Sequence, residues 1–380
     1  MRQVFRSAAP VAVLLALAAC DDFKQPAAPA KSASANTVPA ANVALANTAP
    51  PAANSSQPAP MDISANVSAP SATANPVGQA IDAAALPTTA KLRANAPVLI
   101  KVEVLLDRAH FSPGAIDGRD GSNLHRAITA YRLAHALPAG QTLDPALFQA
   151  LAAADTAPIM QDYVITADDE KGPFIGALPA TMAAQAKLDH LGYSSPVQEL
   201  AERFHMSQAL LRSLNPKADF TAAGTTILVT RPGADPLPTI ARVEVDKAAN
   251  EVRAYAADGQ LAAAFPATVG STERPAPSGV WAVKSVTPNP DYTYDPKRLT
   301  FGNKAGGVLT IKPGPNNPVG STWIALTVET YGIHGAPDPT EIGKNASHGC
   351  VRLTNWDAAT LGKAVAKGVP VSFVGETSKS

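Results

Sequence analysis

Apolar residues change rhythm three times along the chain, and each change predicts a different kind of element. Between about 94 and 157, Leu124, Ile128, Tyr131 and Leu133 fall roughly on one face of a helix that Ser122 or Asn123 could cap, and Pro145 to Leu151 follows Asp144 as a second short helix. The Ser-Pro-Gly and Asp-Gly steps at 112–114 and 117–118 are turn signals. From 158 to 235, Leu200, Phe204, Leu210, Leu211 and Leu214 fit two short helices parted at Met206-Ser207, and Thr225 to Val229 reads as a strand. From 240 to 375 the pattern becomes that of strands. "ARVEVD", "NEVRAYAADGQLAAAFPATVG", "GVWAVKSV", "GVLTIKP", "STWIALT" and "VPVSFV" are short β-prone runs between Gly and Pro breaks, with Asp258-Gly259 as a tight hairpin turn. One helix interrupts them: Thr354 with Asp357 suggests a capping box, Ala358, Leu361 and Val365 share a side, and Gly368 ends it. The expected architecture is multidomain, with a mostly-β sandwich or partly closed barrel preceded by a helical module and an α+β module.

The first 93 residues carry no such rhythm. Arg2 and Arg6 precede a short apolar run from Pro10 to Ala19, too short to span a bilayer, which predicts a secretion signal over 1–20. Residues 21–93 are expected to be a disordered tether, because Ala, Pro, Ser, Asn, Thr and Val dominate and no aromatic residue occurs from Gln25 to Leu92. Such a segment of about 68 residues would reach roughly 220 Å extended and about 45 Å as a coil. A formal net charge of zero gives no electrostatic footprint for nucleic acid.

Chemistry concentrates near the C-terminus. There are two cysteines, and if Cys20 belongs to the signal region, Cys350 is left without an intramolecular partner in an exported protein, the situation of a reactive thiol or an intermolecular bridge. In Ser347-His348-Gly349-Cys350 a glycine beside the thiol lets bare backbone approach a carbonyl and offer N–H groups to an oxyanion. A thiol at its ordinary pKa needs a neighbouring base or cation. His348 lies two residues away, beside the sulfur, whereas His334 in "YGIHGAP" arrives from another strand and can meet it head-on. His334 is therefore the expected base. His110, His125, His135, His190 and His205 fall outside this region and read as ordinary surface or core residues. A zinc site from His334, His348 and Cys350 has suitable ligand types but no supporting spacing.

"NPVGSTWIAL" at 317–326, "YGIHGAP" at 331–337 and "SHGCVRL" at 347–353 together resemble the catalytic domain of L,D-transpeptidases of the YkuD family, with Ala336 departing from the threonine that many relatives carry after His-Gly. The resemblance implies Cys350 as nucleophile, His334 as base, the Gly335 carbonyl orienting the imidazole, and backbone N–H groups at His348, Gly349 and Cys350 as the oxyanion site, with Ser347 in the same loop. Arg352 would anchor a substrate carboxylate or buttress the loop. It further implies a thioester on Cys350, release of D-alanine from a peptidoglycan stem peptide, a 3→3 cross-link, no cofactor, and acylation by carbapenems. Water or a lysine as acceptor would make the enzyme a carboxypeptidase, an amidase or a lipoprotein-anchoring enzyme. A different class of reading is an inert wall-binding lipoprotein.

Three further resemblances complete the expectation. Leu17-Ala-Ala-Cys20 resembles a bacterial lipobox, which implies a lipid on Cys20 and a periplasmic, membrane-anchored protein. Phe111-Ser-Pro-Gly-x-Ile-Asp-Gly118, the helix around Tyr131 and Leu143-Asp-Pro145 resemble a three-helix peptidoglycan-binding domain. Leu200 to Phe204, Leu214-Asn-Pro216 and Ala223-Gly-Thr-x-Ile227 resemble the glycan-binding LysM module.

Overall fold

The computed structural model of the protein describes residues 73–87, 96–270, 275–296, 307–344 and 350–376. The signal segment, Cys20, most of the expected tether, Ser347, His348 and Gly349 lie outside these residues.

The chain folds first as helices: α1 (Pro76–Asp82), α2 (Pro97–Arg108), α3 (Ser122–Ala134) and α4 (Pro145–Ala154). Helix α1 corrects the expectation of a tether reaching residue 93. Asn75 caps it through its side chain, Pro76 supplies the first turn, and Ile81 is buried, so one apolar anchor within a low-complexity stretch is enough to dock it. Thr73 and the Ala74 N–H fasten the preceding residues to the Asp162 carboxylate. In α3 the cap is Gly121; Asn123 instead donates to the Ile342 carbonyl at 2.9 Å, and Leu133, expected on the buried face, is 63% exposed.

Strand β1 (Met160–Val164) follows, then α5 (Ala167–Lys171), α6 (Met182–Gln185), α7 (Pro196–Arg203), α8 (Gln208–Leu214) and β2 (Thr226–Thr230), which pairs antiparallel with β1. Ser195 and Ser207 cap α7 and α8 by accepting from the Gln198 and Leu210 N–H groups. The two accessory regions do not have separate cores. One apolar cluster joins Ile81, Leu106 and Ile128 to Leu200, Met206 and Val229, and it reaches Leu261 and Ala264 in the sheet that follows.

That sheet contains β3 (Ile240–Asp246), β4 (Glu251–Ala256), β5 (Leu261–Pro266), β6 (Thr268–Val269) and β7 (Gly279–Pro288). A hairpin of β8 (Tyr292–Tyr294) and β9 (Leu309–Ile311) stands apart, before β10 (Thr322–Leu326), β11 (Gly332–His334), β12 (Val351–Arg352), helix α9 (Asn355–Ala364) and β13 (Pro370–Val374). Among the described residues the strand order is β5-β4-β3-β13-β7-β10-β11-β12-β6. The edge strands β5 and β6 are consecutive in the chain, joined through Ala267 alone. The sheet must therefore curl until its edges meet, which makes it barrel-like. Its core holds Val243, Val252, Phe265, Ile324, Ile333, Val351 and Leu361.

The accessory region seals the β5 edge: the Ser112 N–H donates to the Ala264 carbonyl and the Ala264 N–H to the His110 carbonyl, at 2.9 and 3.0 Å. At α9 the expected capping box is half-formed. The Thr354 hydroxyl accepts from the Asp357 N–H, but the Asp357 carboxyl turns away to accept from the Ser112 hydroxyl at 2.9 Å.

Candidate active site

Strand register sets the site. β11 pairs in parallel with β12, matching Ile333 to Val351 and His334 to Arg352, and pairs antiparallel with β10, matching Trp323 to His334 and Ile324 to Ile333. Alternation then puts Ile324, Ile333 and Val351 into the core and Trp323, His334 and Arg352 on the opposite face. Cys350, one residue before β12 and two before Arg352, belongs by the same alternation to the side of His334. The two residues expected to react thus come from adjacent strands.

His334 is 3% exposed. Its Nδ1–H donates to the Gly335 carbonyl at 2.7 Å, which fixes the tautomer and leaves Nε2 as the basic nitrogen. Burial pushes its pKa down to about 4; the Gly335 carbonyl opposes this and the nearby Arg352 charge reinforces it. At neutral pH the ring is a neutral base. The Trp323 indole stacks on it with centroids 5.4 Å apart and planes at 27°. Gly332 makes this possible, since a Cβ there would lie 2.6 Å from the Trp323 ring.

Cys350 is half-buried, and its sulfur lies 3.9 Å from the Thr330 carbonyl. Thr330 holds a φ of 69°, a left-handed conformation that costs a β-branched residue energy and fixes where that carbonyl points. The half-buried Arg352 guanidinium is lowered in pKa by desolvation, while charge on Cys350 and Tyr292 favours its cationic form. One cation is therefore electrostatically coupled to both His334 and Cys350.

The turn after His334 is held from beneath by Asn355, a residue the sequence analysis did not single out. Its Oδ1 accepts from the Ser321 N–H at 3.1 Å, and its Nδ2 donates to the Pro315 carbonyl at 3.1 Å and to Glu202 Oε2 at 3.0 Å. A methyl group on Gly320 or on Gly335 would overlap Asn355 Oδ1, so both glycines are required for the close approach. Glu202, on α7, is 7% exposed. Burial raises its carboxyl to about 8, against the lowering effect of the Asn355 and Gln198 amides. No periodicity marks Asn355 or Glu202; the signal is their meeting across 153 positions of sequence. His205, expected to be ordinary, stacks on Trp356 at 4.9 Å and pairs with Asp107.

Residues 240–372 match the family described as the YkuD L,D-transpeptidase catalytic domain. YkuD of Bacillus licheniformis, which bears an L,D-transpeptidase name, is 29% identical over 180 residues, spanning 47% of this chain and 92% of that protein. YqjB of Bacillus subtilis, named likewise, is 30% identical over 144 residues, covering 37% of this chain and 74% of that protein. L,D-transpeptidase 3 of Mycobacterium tuberculosis, solved with a faropenem-derived adduct, shares 18% identity over 49% of this chain and 94% of its own, with a TM-score of 0.30.

Proposed function

From the premise that this chain belongs to the YkuD family of L,D-transpeptidases, we propose that it acts on peptidoglycan stem peptides through a thioester on Cys350 and forms 3→3 cross-links. The observation that carries this reading is the buried, neutral His334 with Nδ1 committed to Gly335, on the strand that pairs with the one Cys350 leads into.

In this reading Nε2 of His334 takes the proton of the Cys350 thiol as the sulfur attacks the carbonyl that precedes the terminal D-alanine. Backbone N–H groups of His348, Gly349 and Cys350, with Ser347 shaping the same loop, stabilise the oxyanion. The C–N bond then breaks, and D-alanine leaves with the proton returned by His334. An acceptor amine attacks the thioester, gives its proton to Nε2, and the C–S bond breaks. Gly335 keeps the imidazole in one tautomer throughout. Arg352 binds a donor carboxylate through its planar fork. A carbapenem enters by the same attack, its strained amide opening onto the sulfur.

The accessory regions support wall binding. In this reading helices α2 to α4 form a peptidoglycan-binding module, and the paired strands β1 and β2 with α7 and α8 form a LysM-like module into which α5 and α6 are inserted. A lipid on Cys20 would hold the protein in the periplasm, with the residues before α1 as its reach. The test is product analysis with purified disaccharide-tetrapeptide and Cys350→Ala as control. A dimer lighter than two donors by one molecule of alanine is expected. Tripeptide alone would assign water as acceptor, and no product with either protein would count against the reading.

A further inference from the structure

We propose that Glu202, carried on α7 outside the catalytic sheet, is a positioning residue for the His334–Gly335 pair and acts through Asn355. The inference rests on the reading of His334 as the base of Cys350. It is carried by a continuous set of contacts. The Glu202 carboxyl oxygen Oε2 accepts from Asn355 Nδ2 at 3.0 Å, and the Asn355 amide lies against Gly335 so closely that a methyl group there would not fit. The Gly335 carbonyl in turn takes the proton of His334 Nδ1 at 2.7 Å, while the Gly335 N–H is held by the Thr322 carbonyl at 3.1 Å. The Gly335 peptide is thus clamped between β10 and Asn355, and the orientation of the base follows from the orientation of that amide.

A second line of contacts ties α7 to the same loops. Gln198, one turn before Glu202, donates to Asn316 Oδ1 at 2.8 Å, and Asn316 returns a hydrogen bond to Gln198 Oε1 at 3.0 Å. Asn316 also donates to the Gly192 carbonyl at 2.7 Å, and the segment at Leu191 pairs with Pro313 and Asn316 through backbone hydrogen bonds of 2.8 and 3.0 Å. Gln198, Glu202, Asn316 and Asn355 are all buried. A carboxyl group inside protein is expensive unless its partners hold it in a defined place, and here those partners lead to the catalytic histidine. The accessory region therefore does more than deliver the enzyme to its substrate: it supplies one wall of the support under the base.

The experiment uses the full chain with Glu202→Ala, Glu202→Gln and Asn355→Ala, reading both acylation of Cys350 by a carbapenem and the ¹⁵N signals of the histidine rings, with His334 assigned by its loss in His334→Gln. Glu202→Ala and Asn355→Ala are expected to slow acylation on the order of 10- to 100-fold with little change in reagent affinity, because the base is displaced while the pocket remains. Both should also weaken the Nδ1–H signature of His334. Glu202→Gln, whose amide oxygen can still accept from Asn355, should restore most of both. If either alanine variant folds and leaves the His334 ring signals unchanged, the proposal is overturned, whatever happens to the rate. If wild type is not acylated at Cys350 and yet the ring signals respond as described, the positioning stands and the transpeptidase reading fails. Should Glu202→Ala not fold, Asn355→Ala decides by the same two readouts.

Discussion

Replacing Glu202 by glutamine should change how stability depends on pH. The native carboxyl titrates at about 8 because burial disfavours its charge, whereas its ordinary value is 4.5. A group whose pKa is raised on folding binds protons more tightly in the native state. Its contribution is fully present below the ordinary pKa and is lost as pH rises through the native one. From these two values, the loss between pH 5 and pH 7 is on the order of 2–3 kcal/mol, with roughly 1 kcal/mol more by pH 8. Glutamine keeps an acceptor for Asn355 but has no proton to lose. Denaturant unfolding of both proteins at pH 5, 6, 7 and 8 gives the comparison directly, since other titrating groups cancel in the difference. The stability of Glu202→Gln relative to wild type should rise by roughly 2–3 kcal/mol from pH 5 to pH 7. Two curves that stay parallel within about 0.5 kcal/mol would mean that Glu202 ionises as freely in the folded protein as in the unfolded chain, the opposite of what its burial requires.

Other consequences follow from the same geometry. Protonation of His334 removes the base, so acylation of Cys350 should fall as pH drops through about 4; a limb near 6.5 in a pH–rate profile would show that burial does not hold the imidazole neutral. His334→Gln should slow acylation roughly 10²- to 10⁴-fold in single-turnover measurements without abolishing binding. Gly320→Ala combines a φ of 63° with overlap on Asn355, and should lose about 1–3 kcal/mol in unfolding experiments as well as activity. Arg352→Lys keeps the charge but not the planar fork, and should raise KM for the tetrapeptide donor about tenfold; an unchanged KM would assign Arg352 to loop support instead.

Much of the fold was legible because long-range order left a local trace. Alternation along Ile240 to Asp246 and the turn at Asp258-Gly259 announced β3, β4 and β5, and Thr354 announced the start of α9. What periodicity could not announce were the strands that position the candidate residues. Strands β11 and β12 have three and two residues, too few for any rhythm, and exist because their neighbours in the curled sheet complete their hydrogen bonds. The sequence nevertheless put His334 and Cys350 forward as candidates, through the glycine-flanked thiol, the histidine from another strand and the resemblance of the segments around them. Their support was not: Glu202 reads as one polar residue of an amphipathic helix, and only folding shows that it faces Asn355 and not water. Helix α1 escaped notice for the complementary reason, since a stretch poor in large apolar residues still docks when Ile81 finds a ready surface.

The proposed reaction turns on a covalent bond at one sulfur. Intact-protein mass spectrometry after rapid acid quench of the full chain with disaccharide-tetrapeptide tests it most directly. A thioester at Cys350 gives an adduct equal to the donor less one molecule of alanine, located by peptide mapping to Cys350 and absent from Cys350→Ser. Turnover that persists in Cys350→Ser, or an adduct mapped to another residue, would contradict it.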